Sequence, residues 1–207
     1  MLFLHGAGGV NNPENIRGQS ITRMLDTDPA YASRCNHIVV MPVAPAPGWP
    51  QHSDVVLSLL DEMVELSAAD RDRIAVAGQS MGGNGCWDLV SRYPERFCAA
   101  IPVCGYIDRS SSEIPSSFDL KPLAKMPLWV FHGADDSVVD VSLSDSVVAA
   151  LRERAAGNSI KYTRYEPGLS PPCITKAKDL VGHGSYELAF KEKGLWDWLD
   201  AQKRDGC

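Results

Sequence analysis

The sequence predicts an α/β protein in which helices cover both faces of a mostly parallel sheet. Short apolar runs rich in β-branched residues alternate with longer segments of helical period, as in βαβ units. Most of the short runs are apolar throughout, which is typical of strands buried on both faces. No stretch has the composition of a linker, so we expect a single domain over residues 1–207, a length ample for a buried core.

The order of strands and helices follows from these patterns. Six runs are predicted to be strands: Met1–Leu4, His37–Met41, Arg73–Ala77, Cys98–Val103, Pro127–Phe131 and Ser159–Tyr165. Four helices are predicted: Ser53 to about Leu66, about Ser80 to just before Pro94, about Ser142 to Ala156, and about Ser185 to Ala201. Ser53 is a preferred N-cap residue, Pro94 cannot continue a helix, and Gly157 is a common C-terminal stop.

Charge and hydropathy exclude several classes of protein. Twenty Lys and Arg residues oppose 26 Asp and Glu, giving a net charge of −6, and no basic cluster offers a nucleic-acid or anionic-membrane surface. No run approaches the roughly 18 apolar residues of a membrane span, and the N-terminus lacks the pattern of a signal peptide. We therefore expect a cytoplasmic protein as the sequence stands, or a secreted one if a leader is missing.

The cysteines indicate buried thiols rather than a metal site or a disulfide framework. There are six: Cys35, Cys86, Cys98, Cys104, Cys173 and Cys207. They form no CxxC pair and have no spacing typical of zinc ligands, and three lie in apolar stretches. We expect neither a metal nor an organic cofactor.

A serine stands where a predicted strand passes into a predicted helix. Gly78-Gln79-Ser80-Met81-Gly82 has the GxSxG pattern, which is weak alone but specific in a strand–turn–helix context. In so tight a turn, side chains at positions 78 and 82 would collide with the neighbouring strand and helix. The turn would present the Ser80 hydroxyl above the sheet, at the positive end of a helix. Ser80 is therefore the candidate nucleophile.

A serine nucleophile needs a base and an acid that orients the base. In the nucleophile-elbow architecture these follow the serine in the order acid, then histidine. Of the five histidines only His183 comes after the candidate acids, in a short loop before the last predicted helix. Three aspartates that follow late strands compete as the acid: Asp135, Asp136 and Asp108.

The loop after the first strand is a candidate oxyanion hole. His5-Gly6-Ala7-Gly8-Gly9 can direct a backbone N–H at a developing oxyanion, and the expected donors are the N–H groups of Ala7 and Met81. The same glycines do not complete a dinucleotide-binding fingerprint. His5 and His132 each precede a glycine at a strand end, and we expect both to be structural.

Together these blocks resemble the α/β-hydrolase fold, and its esterase branch of phospholipase/carboxylesterase, dienelactone-hydrolase-like and polyhydroxybutyrate-depolymerase-like proteins. The similar segments are Leu4–Gly8, Asp72–Gly83, Trp87–Leu89, Tyr93–Phe97, Pro102–Gly105, Phe131–Val139, Gly182–Ser185 and Trp196–Leu199. The resemblance implies a three-layer sandwich. Its register, with the acid four residues after His132, favours Asp136 over Asp135.

The chain departs from that resemblance in two places. Relatives usually carry strands before the oxyanion-loop strand, so we expect a minimal fold that lacks the leading N-terminal strands, with a homodimer through the exposed sheet edge as one consequence. The segment from Gly168 to Leu180 lengthens the loop before His183, and we expect it to form a rim of the site.

The resulting hypothesis is a serine hydrolase that cleaves carboxylic esters of small to medium acyl or aryl groups through an acyl-enzyme. Six residues on segments that should reach the catalytic face are candidate substrate contacts: Trp49, Tyr106, Ile107, Val138, Leu169 and Tyr186. A peptidase or acyl-thioesterase with the same triad is the nearest alternative. A ligand-binding or receptor module with little turnover is the alternative from another class.

Overall fold

Five parallel strands, paired in chain order, form a sheet in the computed structural model, which describes residues 1–154, 160–171 and 181–204. The strands are β1 (Leu2–Leu4), β2 (Ala75–Gln79), β3 (Ala99–Val103), β4 (Leu128–Gly133) and β5 (Ile160–Tyr165). Leu4 pairs with Gly78 and Val103 with Phe131, so the C-terminal ends of the strands meet at one edge of the sheet. Ligands of open parallel sheets bind at that edge.

Helices connect the strands. They are α1 (Pro13–Arg17), α2 (Ser20–Thr27), α3 (Pro29–Ala32), α4 (Ser53–Ser67), α5 (Met81–Arg92), α6 (Ser142–Arg154), α7 (Ser185–Ala189) and α8 (Leu195–Asp200). Short 3₁₀ turns add Ala7–Gly9, Pro50–His52, Arg71–Arg73, Pro94–Arg96 and Pro122–Lys125.

The alternation of side chains along the strands divides the core into two layers. Leu2 and Leu4 of β1 pack on one face with apolar residues of α4, α5 and α6, whereas Phe3 packs on the other with residues of α2, α3, α7 and α8. Strands β1 to β4 are thus covered on both sides, which explains their nearly continuous apolar sequences, whereas the edge strand β5 has exposed positions. The three-layer α/β architecture predicted from the sequence is confirmed.

One predicted strand does not form. Of His37–Met41, only Val40 pairs with the sheet, as a single parallel bridge to Leu2. Its N–H donates to the carbonyl of Met1 at 2.9 Å, and its carbonyl accepts from the N–H of Phe3 at 2.8 Å. Pro42 follows two residues after Val40 and has no N–H, so the ladder cannot continue through it.

The predicted last helix, Ser185 to Ala201, is two helices. The chain leaves α7 after Ala189 and enters α8 after Gly194, whose φ of +82° is a left-handed conformation. Helices α1, α2 and α3 were not predicted. The predicted boundaries at Ala156, Gly157 and Ser159 lie outside the described residues.

Within the described ranges, no helix is both long and apolar enough to cross a membrane.

Candidate active site

Ser80 occupies the turn between β2 and α5. Its φ of +55° and ψ of −117° are rare for a residue with a side chain. A methyl group on Gly78 would overlap the carbonyl of Gly82, and one on Gly82 would overlap the carbonyl of Leu4 in β1. Both glycines are thus required by close backbone approach, and the Ser80 N–H is held by the Val103 carbonyl at 2.9 Å.

His183 reaches Ser80 from a loop that precedes α7. Its Nε2 lies 3.0 Å from the Oγ of Ser80, although the two residues are 103 positions apart in the chain. The loop is anchored where Val181 accepts hydrogen bonds from the N–H and the hydroxyl of Ser137, each at 3.0 Å. The ring is 5% exposed, so it is held in place with little contact with solvent.

Asp136 lies on the opposite side of the His183 ring. Its Oδ2 is 2.8 Å and its Oδ1 3.1 Å from Nδ1 of His183. Oδ1 also accepts the N–H groups of Val138 and Val139 at 2.9 and 3.0 Å. These donors fix the carboxylate in a turn directly after β4.

Burial raises the pKa of Asp136, but hydrogen bonds from His132 and His183 outweigh burial and bring that pKa well below its usual value. The carboxylate is therefore ionised at neutral pH and only accepts hydrogen bonds. It follows that Nδ1 of His183 carries the ring proton, while Nε2 has a lone pair directed at the Ser80 hydroxyl.

A second histidine contacts the same carboxylate. Nε2 of His132 is 3.3 Å from Oδ2 of Asp136 and 2.9 Å from the carbonyl of Val139, and Nδ1 is 2.7 Å from Oγ of Ser144. Since a carbonyl only accepts, Nε2 carries a proton and Nδ1 accepts from the Ser144 hydroxyl. Sequence analysis predicted only a structural role for His132. Its spacing of four residues from Asp136 was the available signal for this contact.

The competing aspartates have other partners. Asp135 accepts the Gly168 N–H at 2.8 Å through Oδ2. Asp108 accepts the N–H and hydroxyl of Ser110 at 2.8 and 2.6 Å, which closes a local turn. Of the three candidates only Asp136 contacts His183.

The glycine-rich loop after β1 lies over the serine. A methyl group on Gly6 would be 3.6 Å from Cβ of Ser80, and Ala7 is the next residue of the loop. Met81 begins α5, and an N–H in the first turn of a helix has no partner within the helix. That the N–H groups of Ala7 and Met81 act as oxyanion donors remains a prediction.

His5 supports this loop from below. Its Nδ1 is 2.7 Å from the carbonyl of Gly6, and its Nε2 accepts the N–H of Ala44 at 3.0 Å. Burial lowers the pKa of His5, which favours the neutral ring that this pattern requires.

A cysteine completes the inner wall of the site. Cys104 follows β3 with a φ of +39° and is fully buried. Its Sγ, a carboxylate oxygen of Asp136 and a ring nitrogen of His183 all lie within 4.8 Å of one another. Sequence analysis placed this thiol in an apolar stretch but had no signal for its proximity to the site.

The six candidate substrate contacts divide into two groups, of which the first lies close to the site. The ring of Tyr186 packs edge-on against His183, with centroids 6.2 Å apart. Val138 is half-buried, donates its N–H to Asp136 and accepts a hydrogen bond from Arg109. Leu169 is 59% exposed, beside the rest of the predicted rim, of which positions 172–180 lie outside the described residues.

The second group lies beside α5. Trp49 is 2% exposed and packs in the core, with its indole N–H donated to the carbonyl of His5 at 2.9 Å. Tyr106 and Ile107 accept hydrogen bonds from Asn84 through their carbonyls and line a cavity of about 440 Å³. The three residues of the Ser80 hydrogen-bond chain are not among the described residues that line it.

Solved structures that resemble the chain over most of its length are esterases and serine hydrolases. A thermostable esterase is 29% identical with a TM-score of 0.77, and the match covers 98% of this chain and 54% of that one. The Arabidopsis thaliana protein SOBER1 is 18% identical with a TM-score of 0.58, covering 96% of each chain. The fluorophosphonate-binding serine hydrolase FphF of Staphylococcus aureus is 17% identical with a TM-score of 0.65, covering 96% of this chain and 82% of its own.

These likenesses define the fold as that of the α/β-hydrolases and confirm the resemblance to esterases and serine hydrolases. The chain spans about half the length of the thermostable esterase.

Sequence comparison adds a more distant relative. An uncharacterized secreted protein of Arthroderma benhamiae is 32% identical in an alignment of 109 positions that covers 42% of this chain and 12% of the relative. No family model matches the chain.

Proposed function

We propose that the protein is a serine esterase that hydrolyses carboxylic esters through Ser80, His183 and Asp136. One observation carries the proposal: a continuous chain of hydrogen bonds joins the Ser80 hydroxyl, both nitrogens of His183 and the Asp136 carboxylate. The three residues come from segments far apart in the sequence. Their hydrogen bonds lie at the edge of the sheet where ligands of such folds bind.

Each residue has a distinct task in the proposed reaction. Ser80 Oγ attacks the ester carbonyl while Nε2 of His183 takes the hydroxyl proton. Asp136 keeps the proton on Nδ1 and stabilises the imidazolium that forms. His183 then returns its proton to the leaving alcohol, which departs as the acyl-enzyme forms.

The tetrahedral intermediate carries a negative oxygen that needs donors already in place. The N–H groups of Ala7 and Met81 serve this purpose, and one such donor typically contributes about 3 kcal/mol to the transition state. Because α5 begins at Met81, its dipole adds positive potential at the same point. Water, activated by His183, then cleaves the acyl-enzyme and regenerates Ser80.

The proposed substrates are esters of small to medium acyl or aryl groups. Leu169 and Val181 are exposed apolar side chains, at 59% and 51%, on the segments that precede His183, and Tyr186 presents an aromatic ring beside His183. These surfaces suit an apolar group better than a charged one. No step of the proposed reaction uses a metal or an organic cofactor.

A panel of activated substrates tests the class of reaction. Purified protein is assayed against p-nitrophenyl esters of graded acyl length, acyl thioesters and aminoacyl amides, with Ser80→Ala as the matched control. We expect kcat/KM to be highest for the short and medium esters and turnover to disappear in the control. Faster cleavage of thioesters or amides would replace the esterase assignment with a thioesterase or peptidase. Ester turnover that persists in Ser80→Ala would reject the mechanism.

A further inference from the structure

The geometry points to a binding site for a thiophilic divalent cation, such as Cd²⁺ or Zn²⁺, made by Cys104, Asp136 and His183. The three side chains offer a thiol sulfur, a carboxylate oxygen and a ring nitrogen, with no two ligand atoms more than 4.8 Å apart. Ligand atoms share one such ion at about 2.0–2.3 Å from its centre, so side-chain shifts of about 1 Å complete the site. We infer that the cation and catalysis exclude each other, a consequence that rests on the proposed function.

The donor set selects the class of metal. Thiolate and imidazole favour soft or borderline ions, whereas Mg²⁺ and Ca²⁺ prefer all-oxygen sites. A thiolate and the Asp136 carboxylate together supply two negative charges, which balance a divalent ion in a setting where all three ligands are buried.

Binding the ion changes which ring nitrogen of His183 carries the proton. In the resting state Nδ1 of His183 donates to Asp136 and Nε2 accepts from Ser80. Nδ1 is the ring nitrogen that faces Asp136, so an ion held by both side chains takes the Nδ1 lone pair. The single ring proton then moves to Nε2, and the Cys104 thiol releases one proton to solvent. Nε2 then donates toward Ser80 and can no longer take the hydroxyl proton. Inhibition is thus expected without any change at Ser80 itself.

Metal binding is measured first, on protein that cannot turn over. Chelator-treated Ser80→Ala protein is titrated with CdCl₂ while the ultraviolet cadmium–thiolate charge-transfer band is recorded. We expect a band that saturates at one ion per chain. The band falls by at least tenfold at equal Cd²⁺ in Ser80→Ala/Cys104→Ala, and persists in the matched control Ser80→Ala/Cys35→Ala, which removes a partly exposed thiol outside the site. Because turnover is not involved, this result stands or falls separately from the esterase proposal.

Inhibition is measured second, on active protein. Cd²⁺ and Zn²⁺ should inhibit ester hydrolysis by wild-type protein and Cys35→Ala, and a chelator should restore activity. In Cys104→Ala the half-inhibitory concentration should rise at least tenfold, while MgCl₂ at the same concentrations inhibits none of the proteins. Cys104→Ser serves as a second variant if the alanine variant does not fold. A cadmium band and inhibition that survive in a folded Cys104 variant would overturn the proposal.

Discussion

Asp136 lies between two histidines, and the two contacts differ in purpose. The other ring nitrogen of His183 contacts the Ser80 hydroxyl, whereas the other ring nitrogen of the fully buried His132 contacts the hydroxyl of Ser144 in α6. The second contact holds the carboxylate from the side away from the reacting atoms. It also adds a donor that favours the ionised form of Asp136.

Two adjacent aspartates allow a matched test of the acid. Asp136→Asn keeps the size of the side chain, but an amide can donate to Nδ1 of His183 and stabilise the tautomer that cannot accept from Ser80. We expect kcat to fall by about 10³–10⁴-fold, as for loss of the acid in other triads. Asp135→Asn keeps an oxygen that can accept the Gly168 N–H and should stay within about threefold of wild type. Steady-state kinetics that reverse this ranking would assign the acid to Asp135.

His132 is predicted to act as a positioning residue for Asp136. His132→Leu preserves apolar volume and removes the N–H, so we expect kcat to fall by about 10–100-fold with little change in KM, equivalent to about 1.5–3 kcal/mol for a hydrogen bond to a charged group. His132→Gln offers an amide N–H in its place and should recover part of the loss. An unchanged kcat in a folded His132→Leu protein would show that one histidine suffices.

Asp136 should also make stability depend on pH. Its pKa in the folded protein is lower than the usual 3.8, so the unfolded state binds more protons in acid. The stability that it contributes is present above about pH 4 and is lost as the pH falls through the folded pKa. Denaturant unfolding at successive pH values should show a steeper loss in acid for wild type than for Asp136→Asn. Equal slopes would mean that the carboxylate titrates normally.

The β2–α5 turn is determined by backbone crowding as much as by chemistry. Gly82 lies against the carbonyl of Leu4 in β1, so the helix packs on the sheet at a distance that no side chain permits. Val103 at the end of β3 holds the Ser80 N–H on the other side. Three neighbouring strands therefore fix one φ/ψ pair.

Gly82→Ala should destabilise the fold by about 3 kcal/mol or more, because the overlap is with backbone that can only shift as a unit. Gly18→Ala is the matched control. Its added methyl would meet only ordinary contacts, 3.6 Å from the nearest atom, in a right-handed conformation. Thermal unfolding should separate the two variants, and an equal loss in both would remove the crowding argument.

Sequence patterns predicted β1 to β4 well because these strands are largely apolar and buried on both faces. They failed for the apolar run His37–Met41, which forms a single bridge before Pro42, and for short helices. Helices α1, α2 and α3 are only 5, 8 and 4 residues long, too short for periodicity to stand out. The break between α7 and α8 depends on one left-handed glycine, Gly194, inside a pattern that otherwise continues.

Some features of the site can be predicted from local sequence, whereas others depend on tertiary packing. Ser80 follows from a turn motif that the sequence displays, and His183 from its place as the only histidine after the candidate acids. The proximity of Cys104 and the burial of Trp49 depend on how β3 and the loop before α4 pack, and no local pattern encodes either.

The chain as a whole brings together segments that span most of its length, from Gly6 to His183, at one edge of a five-stranded sheet. The cytoplasmic location and the homodimer remain predictions, and the Arthroderma benhamiae relative is named as a secreted protein.

The most direct test of the account is covalent labelling of the proposed nucleophile. Native protein is treated with a fluorophosphonate, and the adduct is located by peptide mass spectrometry, with Ser80→Ala and His183→Ala in parallel. We predict a single adduct on Ser80, no labelling of Ser80→Ala, and labelling of His183→Ala slower by at least 10²-fold, because the base is missing. A correctly folded wild-type protein that takes no label, or takes it at another residue, would contradict the proposed mechanism.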